Sequence, residues 1–439
     1  RVHHTDRLAT PLRRIGAKGD RTAFEPISWD DAMDEVAEGM TRAIQRHGGE
    51  AVWAYDFAGT MGQIQRHGIS RFRNDLKLSR HIGSICTYLP DAGWAAGVGV
   101  KHGVDPREMT ESDLIVIWGG NPVNTQVHLM TQIAASRKRG AKLVVVDPYR
   151  TKTAAQADFH LMVRPGTDGA LAAAVMHVLF KEGLTDRDYL RDFTDHGPEL
   201  ERHLERKTPE WAEAICGVPV EQIIEFARLW GGTKRAFMRC GYGFARSRNG
   251  AAQMHAVTCL PAVTGAWRHR GGGALYGNAG IYKLDRTLLD GTDVADPTLR
   301  ALDMTRIGRV LTGEQESLNG GPPVEALFVQ NTNPMSVAPE TTRVREGFAR
   351  DDLFVCVHEQ FMTDTAAMAD IVLPATMFLE HTDMYTGGGH TLLMLSKPII
   401  EPYADCRTNH QVLSTLAKRL GGTHRGFDMS EWDIIDETL

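Results

Sequence analysis

The sequence predicts an α/β protein built from two related, doubly wound units of mainly parallel sheet. Three observations carry that prediction. Short continuous apolar runs rich in β-branched residues alternate with helix-length stretches, as expected for strands buried on both faces and wound against helices. An octapeptide, Thr151-Lys152-Thr153-Ala154-Ala155-Gln156-Ala157-Asp158, returns 212 positions later as Thr363-Asp364-Thr365-Ala366-Ala367-Met368-Ala369-Asp370. At the same offset an Asn-Pro pair, Asn121-Pro122 and then Asn333-Pro334, follows an apolar run.

Taken in order, Ser28 stands where a helix cap is expected, before an amphipathic stretch over 30–46 that His47-Gly48-Gly49 terminates. The apolar run 114–118 ends in Gly119-Gly120-Asn121-Pro122. A helix is expected over 126–139, closed by Gly140, and then a second strand over 143–146 that ends in Asp147-Pro148. Residues 167–230 read as mainly helical. The glycine-rich stretch 265–280 reads as a loop against a ligand or a domain seam, and 313–323 as an exposed linker. Strand and helix patterning resumes at Ala326. The domain division this suggests is a remnant of an N-terminal domain at 1–27, a discontinuous first α/β domain at 28–80 plus 318–439, and a second at 81–317.

The repeat is longer than its octapeptide. The strand after each Asn-Pro loop recurs, at 144–146 and 354–357, and an Ala-Asp pair in each half leads a short apolar run toward Pro165 or Pro374. Several features holding one register over some 40 residues indicate duplication of a whole α/β unit.

Composition narrows the function classes. A net charge of -6, from 49 basic and 55 acidic residues, gives no electrostatic ground for nucleic acid or a membrane surface as partner. No apolar run reaches the roughly 18 residues a spanning helix needs. The six cysteines, at 86, 216, 240, 259, 356 and 406, are not spaced as a metal clip or a disulfide framework, so most are expected to be buried small hydrophobes in a reducing compartment. Neither a Walker-type loop nor a GxGxxG after a strand is present, which removes support for ATP hydrolysis or ordinary NAD binding. The opening Arg1-Val2-His3-His4-Thr5-Asp6 reads as mid-protein sequence, and the chain is expected to be a fragment.

The loop chemistry points to a dinucleotide. In open parallel sheets, ligands bind beyond the carboxyl ends of strands, where loops and helix N-termini offer backbone N–H groups. Gly119 and Gly120 allow a phosphate to approach the backbone closely, and Asn121 and Asn333 can donate to and accept from a heterocycle or phosphate. Two equivalent loops suggest two equivalent ligand halves. Asp168, in Arg164-Pro165-Gly166-Thr167-Asp168, sits at a helix start, where capping would explain it locally. A carboxylate also suits the two donors on one edge of guanine. Glu380, at the repeat offset from Asp168, is the corresponding acid in the second half.

With these residues assembled, the chain resembles the molybdopterin oxidoreductases of the dimethyl sulfoxide reductase type. The resemblance rests on Trp29-Asp30-Asp31-Ala32, Gly119-Gly120-Asn121-Pro122, Asp147-Pro148, the octapeptide at 151–158, Arg164-Pro165-Gly166-Thr167-Asp168, Asn333-Pro334 and the segment 363–374. These run in family order over about 6–422. The resemblance implies a bis(molybdopterin guanine dinucleotide) cofactor with molybdenum or tungsten, lying in a cleft between the two α/β domains. It also implies a [4Fe–4S] cluster in a domain preceding Arg1 and a barrel-like C-terminal domain beyond this chain. The activity implied is two-electron redox or oxo transfer on a small-molecule substrate, with electrons passing to a partner subunit or soluble carrier. A non-catalytic structural subunit of a redox complex is the alternative.

In that family the metal takes a Cys, selenocysteine, Ser or Asp ligand a short stretch of chain before the Gly-Gly-Asn loop. Cys86, at the matching place before Gly119, is the implied ligand, with Ser84 as fallback. A soft thiolate suits a metal already held by dithiolenes. His81, Thr87 and Asp91 flank it as candidates for gating protons or substrate. Formate dehydrogenases of the family carry His directly after the ligand; Thr87 in that place counts against formate. The cofactor-binding candidates are Gly119, Gly120, Asn121, Asp147, Pro148, Arg150, Arg164, Gly166, Asp168, Gly241, Asn331, Asn333, Gln360, Thr363 and Thr365. Arg246, Arg248 and Gln253 are further candidates, and the loop Gly387-Gly388-Gly389-His390 is expected to close over a pterin or to be a solvent-facing turn. A cytoplasmic location is expected, or a periplasmic one if an export signal precedes Arg1.

Overall fold

The computed structural model describes residues 4–439. Arg1, Val2 and His3, which open the segment read above as an N-terminal remnant, lie outside the described residues. Compactness divides the chain into two units. The first comprises residues up to Ile85 together with Lys283–Thr386 and Leu393–Leu439; the second comprises Cys86–Tyr282 and Gly387–Leu392.

In chain order the strands are β1 (Leu12–Arg14), β2 (Phe24–Pro26), β3 (Val52–Asp56), β4 (Arg80–Ile82), β5 (Leu114–Trp118), β6 (Lys142–Val146), β7 (Phe159–Leu161) and β8 (Ala236–Cys240). There follow β9 (Gly273–Leu275), β10 (Ala301–Asp303), β11 (Ala326–Gln330), β12 (Phe354–Glu359), β13 (Ile371–Pro374), β14 (Asp383–Thr386) and β15 (Leu393–Ser396). The first unit carries a six-stranded sheet in the order β2-β1-β13-β12-β11-β3. It is parallel from β13 to β3, with β1 and β2 added antiparallel at one edge. The second unit carries a five-stranded, wholly parallel sheet in the order β7-β6-β5-β8-β9.

The repeat read from the sequence is visible strand by strand. β5, β6 and β7 begin at 114, 142 and 159, and β11, β12 and β13 begin at 326, 354 and 371, each at the offset of the octapeptide. The fourth core strand breaks the pattern. β8 pairs beside β5 and follows it in the chain, whereas β3 pairs beside β11 and precedes it. The two units therefore share a four-strand core assembled from differently ordered chain.

Alternation along each strand fills both faces. In the second unit Leu114, Val116 and Trp118 pack with the helices Asp168–Lys181, Val220–Gly231 and Gly250–Val263, while Ile115 and Ile117 meet Leu129 and Ile133 of Val127–Lys138. In the first, Leu327 and Val329 face one layer, and Ala326 and Phe328 face the helices Trp29–His47 and Asn409–Arg419. Period-2 strands with both faces apolar are what makes these runs continuous in sequence. Helix Trp29–His47 starts as expected, with the Ser28 side chain accepting from Asp31 N, and stops at Gly48, whose φ of 80° favours glycine.

Three expectations need correction. The glycine-rich stretch contains β9, an edge strand whose ladder to β8 a loop could not make. Residues 313–323 are not simply an exposed linker, since Ser317 and Leu318 are buried and Leu318 joins the first unit's core. Residues 283–317 pack with the first unit and not the second, because β10 pairs with β4.

Candidate functional site

The Asn-Pro loops are built by the same hydrogen bonds in both units. In the second, Thr153 Oγ1 donates to Asn121 Oδ1 (2.7 Å) and accepts from Val123 N (3.2 Å). In the first, Thr365 Oγ1 donates to Asn333 Oδ1 (2.6 Å) and accepts from Met335 N (3.1 Å). Each Asn enters its short helix with nearly the same backbone, φ -127° and ψ 73° at Asn121 and φ -123° and ψ 75° at Asn333. The first threonine of each octapeptide closes a turn, Thr151 accepting from Ala154 N (3.0 Å) and Thr363 from Ala366 N (3.1 Å). The octapeptide's final Asp ties back to the neighbouring strand, Asp158 to Leu143 N and Asp370 to Val355 N, both at 2.7 Å. The repeated residues are thus braces. Thr365 holds the Asn-Pro loop in shape, and Thr363 closes the turn that carries Thr365.

At the carboxyl edge of the second unit's sheet, Gly119 has φ +65°, and Gly241 N donates to Trp118 O (2.7 Å) while Gly243 N donates to Gly119 O (2.9 Å). A Cβ at Gly241 or Gly243 would run into the Gly119 backbone, so the two loops need glycine to lie so close. Asp168 is the first residue of its helix, and the preceding Thr167 makes no side-chain cap. Its carboxylate instead accepts from Trp118 Nε1 (2.8 Å), so capping does not account for it. Burial raises its pKa, partly opposed by the Trp118 N–H. Asp147, at the end of β6, is buried and likewise raised by burial. Gly166 has φ +76°, and its carbonyl accepts from Asn249 and Gln253. Pro148, Arg150, Arg246 and Arg248 are exposed or half-buried beside this edge, and Gly120 and Asn121 are half-buried. Arg164 is occupied elsewhere, donating to Ala214 O (3.0 Å) and Ile215 O (3.2 Å). The loop Gly387-Gly388-Gly389-His390 packs with this unit, Gly388 O accepting from Asn278 N (2.9 Å), so it is not a free solvent turn.

The first unit holds a cavity of about 700 Å³ at the carboxyl ends of β11 and β12, lined by Asn331, Asn333, His358, Glu359, Gln360, Thr376 and His381 among others. Asn331 has φ +63° at the position equivalent to Gly119. Its Oδ1 accepts from Asn409 Nδ2 (3.0 Å), and its own Nδ2 is buried with no partner. His381 pairs through Nδ1 with Thr376 Oγ1 (2.9 Å), leaving Nε2 buried and unpartnered; burial brings its pKa down to about 4. Gln360 Nε2 donates to Thr376 O (3.1 Å). Glu359, at the repeat offset from Asp147, carries a carboxyl that burial raises. The sequence reading misses Glu359, though the offset from Asp147 is a signal for it. It also misses His381, Thr376 and Asn409, which only the folding of distant segments brings here.

Glu380 is not the second-half counterpart of Asp168. Its carboxylate is held by both terminal guanidinium nitrogens of Arg7, one at 2.9 Å, and accepts from Met377 N (2.9 Å). With both oxygens engaged in a buried ion pair, it has no edge to offer guanine.

Cys86 opens the second unit, half-buried, just before the helix Tyr88–Val98. Thr87 is the cap residue and donates to Asp91 Oδ2 (3.2 Å), which also takes Lys101 Nζ (2.6 Å). The other five thiols are raised by burial, Cys240 to about 12 and Cys259 and Cys406 to about 11. They behave as the small hydrophobes expected, although Cys259 is only half-buried. Ser84 and His81 belong to the first unit. Ser84 donates to Asp303 Oδ1 (2.6 Å). The His81 ring packs edge-on to Tyr55 at 5.2 Å, and burial lowers its pKa to about 4, so it is neutral near pH 7.

Known proteins are similar to this chain in sequence and in architecture. The sequence profile of the molybdopterin oxidoreductase family matches residues 7–419. The chain belongs to that family. A probable oxidoreductase of Bacillus subtilis, YoaE, is 39% identical over 441 residues, spanning 100% of this chain and 64% of that protein. The dimethyl sulfoxide reductase DmsA of Haemophilus influenzae is 28% identical over 488 residues, 98% of this chain and 60% of that protein. The solved acetylene hydratase of Pelobacter acetylenicus shares the fold, with a TM-score of 0.80 at 22% identity, over 97% of this chain and 63% of that one. The chain thus spans somewhat under two thirds of the relatives it matches. No helix among the described residues is long and apolar enough to cross a membrane.

Proposed function

We propose that the whole protein is a molybdenum- or tungsten-dependent oxidoreductase whose cofactor contains two molybdopterin guanine dinucleotides, one held at the sheet edge of each unit. The observation that carries this reading is the duplicated bracket, Thr153 on Asn121 and Thr365 on Asn333. Two copies of a loop brace at the carboxyl ends of two equivalent parallel sheets suit a ligand that is itself two-fold.

The donor set fits that group. The first unit's cavity presents Asn331 Nδ2 and His381 Nε2, both buried and unpartnered, to a dinucleotide rich in acceptor oxygens and ring nitrogens. Such orphan groups are costly unless a ligand satisfies them. In the second unit Asp168 would take the N1–H and exocyclic amine of guanine, oriented by Trp118. Asp147 and Glu359, acids after equivalent strands, would accept from ribose hydroxyls. The backbone around Gly119 and Gly120 would lie against a phosphate, which any side chain there would hold away. Cys86 would supply the metal's protein ligand as a thiolate. When bound, the group supplies two-electron redox chemistry, while the protein binds, orients and shields. On this reading the whole protein acts on a small molecule, as the dimethyl sulfoxide reductase among its relatives does by name. It would exchange electrons with a partner subunit or soluble carrier through an iron–sulfur cluster.

Replacing Cys86 by Ala in the full-length protein tests the reading. X-ray absorption at the metal should lose one sulfur neighbour and turnover should fall at least a thousandfold, with guanine nucleotide retained. An unchanged sulfur count with unchanged turnover contradicts it.

A further inference from the structure

At the wall of the first unit's cavity of about 700 Å³, two side-chain amides are each locked in one orientation. Asn409 Nδ2 donates to Gln65 O (2.8 Å) and to Asn331 Oδ1 (3.0 Å). A backbone carbonyl only accepts, so the Asn409 atom that faces Gln65 O is its nitrogen, and the Asn331 atom that faces Asn409 is its oxygen. Gln65 is itself fully buried, its side chain tied to His410 N (2.9 Å), Thr382 O (3.3 Å) and Glu431 Oε1 (3.3 Å). Asn331 is held by its backbone as well. Its φ of +63° is one that asparagine tolerates better than most residues, and a Cβ at Gly59 would run into it. This frame leaves over one donor and one acceptor. Asn331 Nδ2 is buried without a partner, and Asn409 Oδ1 takes no hydrogen bond from the described residues. Both side chains line the cavity, together with the apolar Met61, Phe361 and Phe378.

We infer that Asn331 and Asn409 read the edge of a purine base in the first unit, Asn331 Nδ2 donating to the O6 oxygen and Asn409 Oδ1 accepting the neighbouring N1–H. An acceptor beside a donor on one planar edge is the complement of such a pair, and the apolar side chains suit the faces of a flat ring. The second unit presents different chemistry. Asp168 only accepts, and suits the two donors of guanine, N1–H and the exocyclic amine. No free carboxylate stands at the equivalent place in the first unit, where Glu380 is spent on Arg7 and Met377 N. Glu359 also lines the cavity, but one of its oxygens accepts from Gln360 N (2.7 Å), and its position matches Asp147 rather than Asp168. The two units therefore differ in what they demand. The exocyclic amine of guanine is needed in the second and dispensable in the first.

The pair rests on the proposed function, in which each unit holds one nucleotide-bearing arm. Free nucleoside diphosphates, unlike the joined arms of a cofactor, fill the two sites separately, and inosine diphosphate is guanosine diphosphate without the exocyclic amine. Calorimetric titration of full-length protein produced without pterin should find two sites for guanosine diphosphate. In Asp168→Asn protein, which reports the first unit, inosine and guanosine diphosphates should bind equally well. In Asn331→Gly protein, which reports the second, inosine diphosphate should bind about tenfold more weakly, the loss expected for one hydrogen bond to a charged group. Glycine suits the φ at 331, and the intact second site shows that this variant is folded. Asn409→Leu should abolish the same site as Asn331→Gly. A clear preference for guanosine diphosphate in the Asp168→Asn protein, as a carboxylate reader such as Glu359 would give, overturns the amide pair alone. So does a first site that survives Asn331→Gly unchanged. Wild-type protein that binds no guanosine diphosphate overturns the functional reading and the amide pair with it.

Discussion

The hydroxyl of Thr365 lies 2.6 Å from the side-chain oxygen of Asn333, and it also accepts the backbone N–H of Met335 at 3.1 Å. One fully buried hydroxyl thus fixes both the side chain and the following backbone of a loop at the sheet edge. Thr365→Val removes it without changing shape and leaves Met335 N–H unpaired, which costs about 1–3 kcal/mol. Urea unfolding should show that loss, and Thr365→Ser should recover most of it. Thr153→Val is expected to behave alike in the second unit.

The ion pair between Arg7 and Glu380 is also buried, with side chains 2% and 1% exposed. Glu380→Gln leaves the guanidinium buried without its counter-charge and should destabilise by about 3–5 kcal/mol. Burial alone would raise the Glu380 pKa, but the Arg7 hydrogen bonds and the Met377 N–H bring it below the usual carboxylate value. A lowered folded pKa means that the stabilisation is complete above the unfolded value, about 4.3, and is lost as pH falls through the folded one. Acid titration of wild type against Glu380→Gln should show the difference collapsing below about pH 4.

Asp383 predicts the opposite slope. Its Oδ1 accepts from Ile64 N (2.9 Å) and Met384 N (2.8 Å), while its Oδ2 is buried with no partner. Burial, opposed by those N–H groups, pushes its pKa up to about 7. A carboxyl with a raised folded pKa gives stability that is full below its unfolded value, about 3.9, and lost as pH rises through about 7. Asp383→Asn keeps the accepting oxygen and removes the charge, so it should be more stable than wild type at pH 8 and nearly equal at pH 4. A variant less stable at both values would contradict the assignment.

What is legible in the sequence, and what is not, follows from where the information lies. The strands 114–118 and 326–330 are readable because burial on both faces makes them continuously apolar. Their equivalence is readable because the braces Asn121, Thr153, Asn333 and Thr365 need particular atoms and so keep their identity. The fourth strands are not, since Val52–Asp56 and Ala236–Cys240 are interior packing elements that share no side-chain chemistry and lie on opposite sides of their repeats. β9 reads as loop because its Gly273 has φ +89° and meets Trp267 too closely for a side chain. Offset arithmetic finds Asn331 and reaches Glu359, but it misleads at Glu380. That carboxylate is taken over by Arg7, 373 residues away, and no local pattern reports such a partner.

Asp168 offers a binding test. One oxygen of the carboxylate is fixed by Trp118 Nε1 at 2.8 Å, and in the proposed function the carboxylate accepts from guanine. Asp168→Asn retains the size but replaces an acceptor with a donor, so guanine nucleotide recovered from the purified protein should fall at least tenfold. Trp118→Phe should lower it less, because it loosens the carboxylate without removing it.

In the proposed function the duplicated brackets hold two guanine-bearing arms of a single metal cofactor. Acid release of nucleotide from the full-length protein, with metal counted on the same sample, tests it most directly. Two guanine nucleotides are expected for each molybdenum or tungsten. Active protein that yields neither nucleotide nor metal, or one nucleotide per metal, would contradict it.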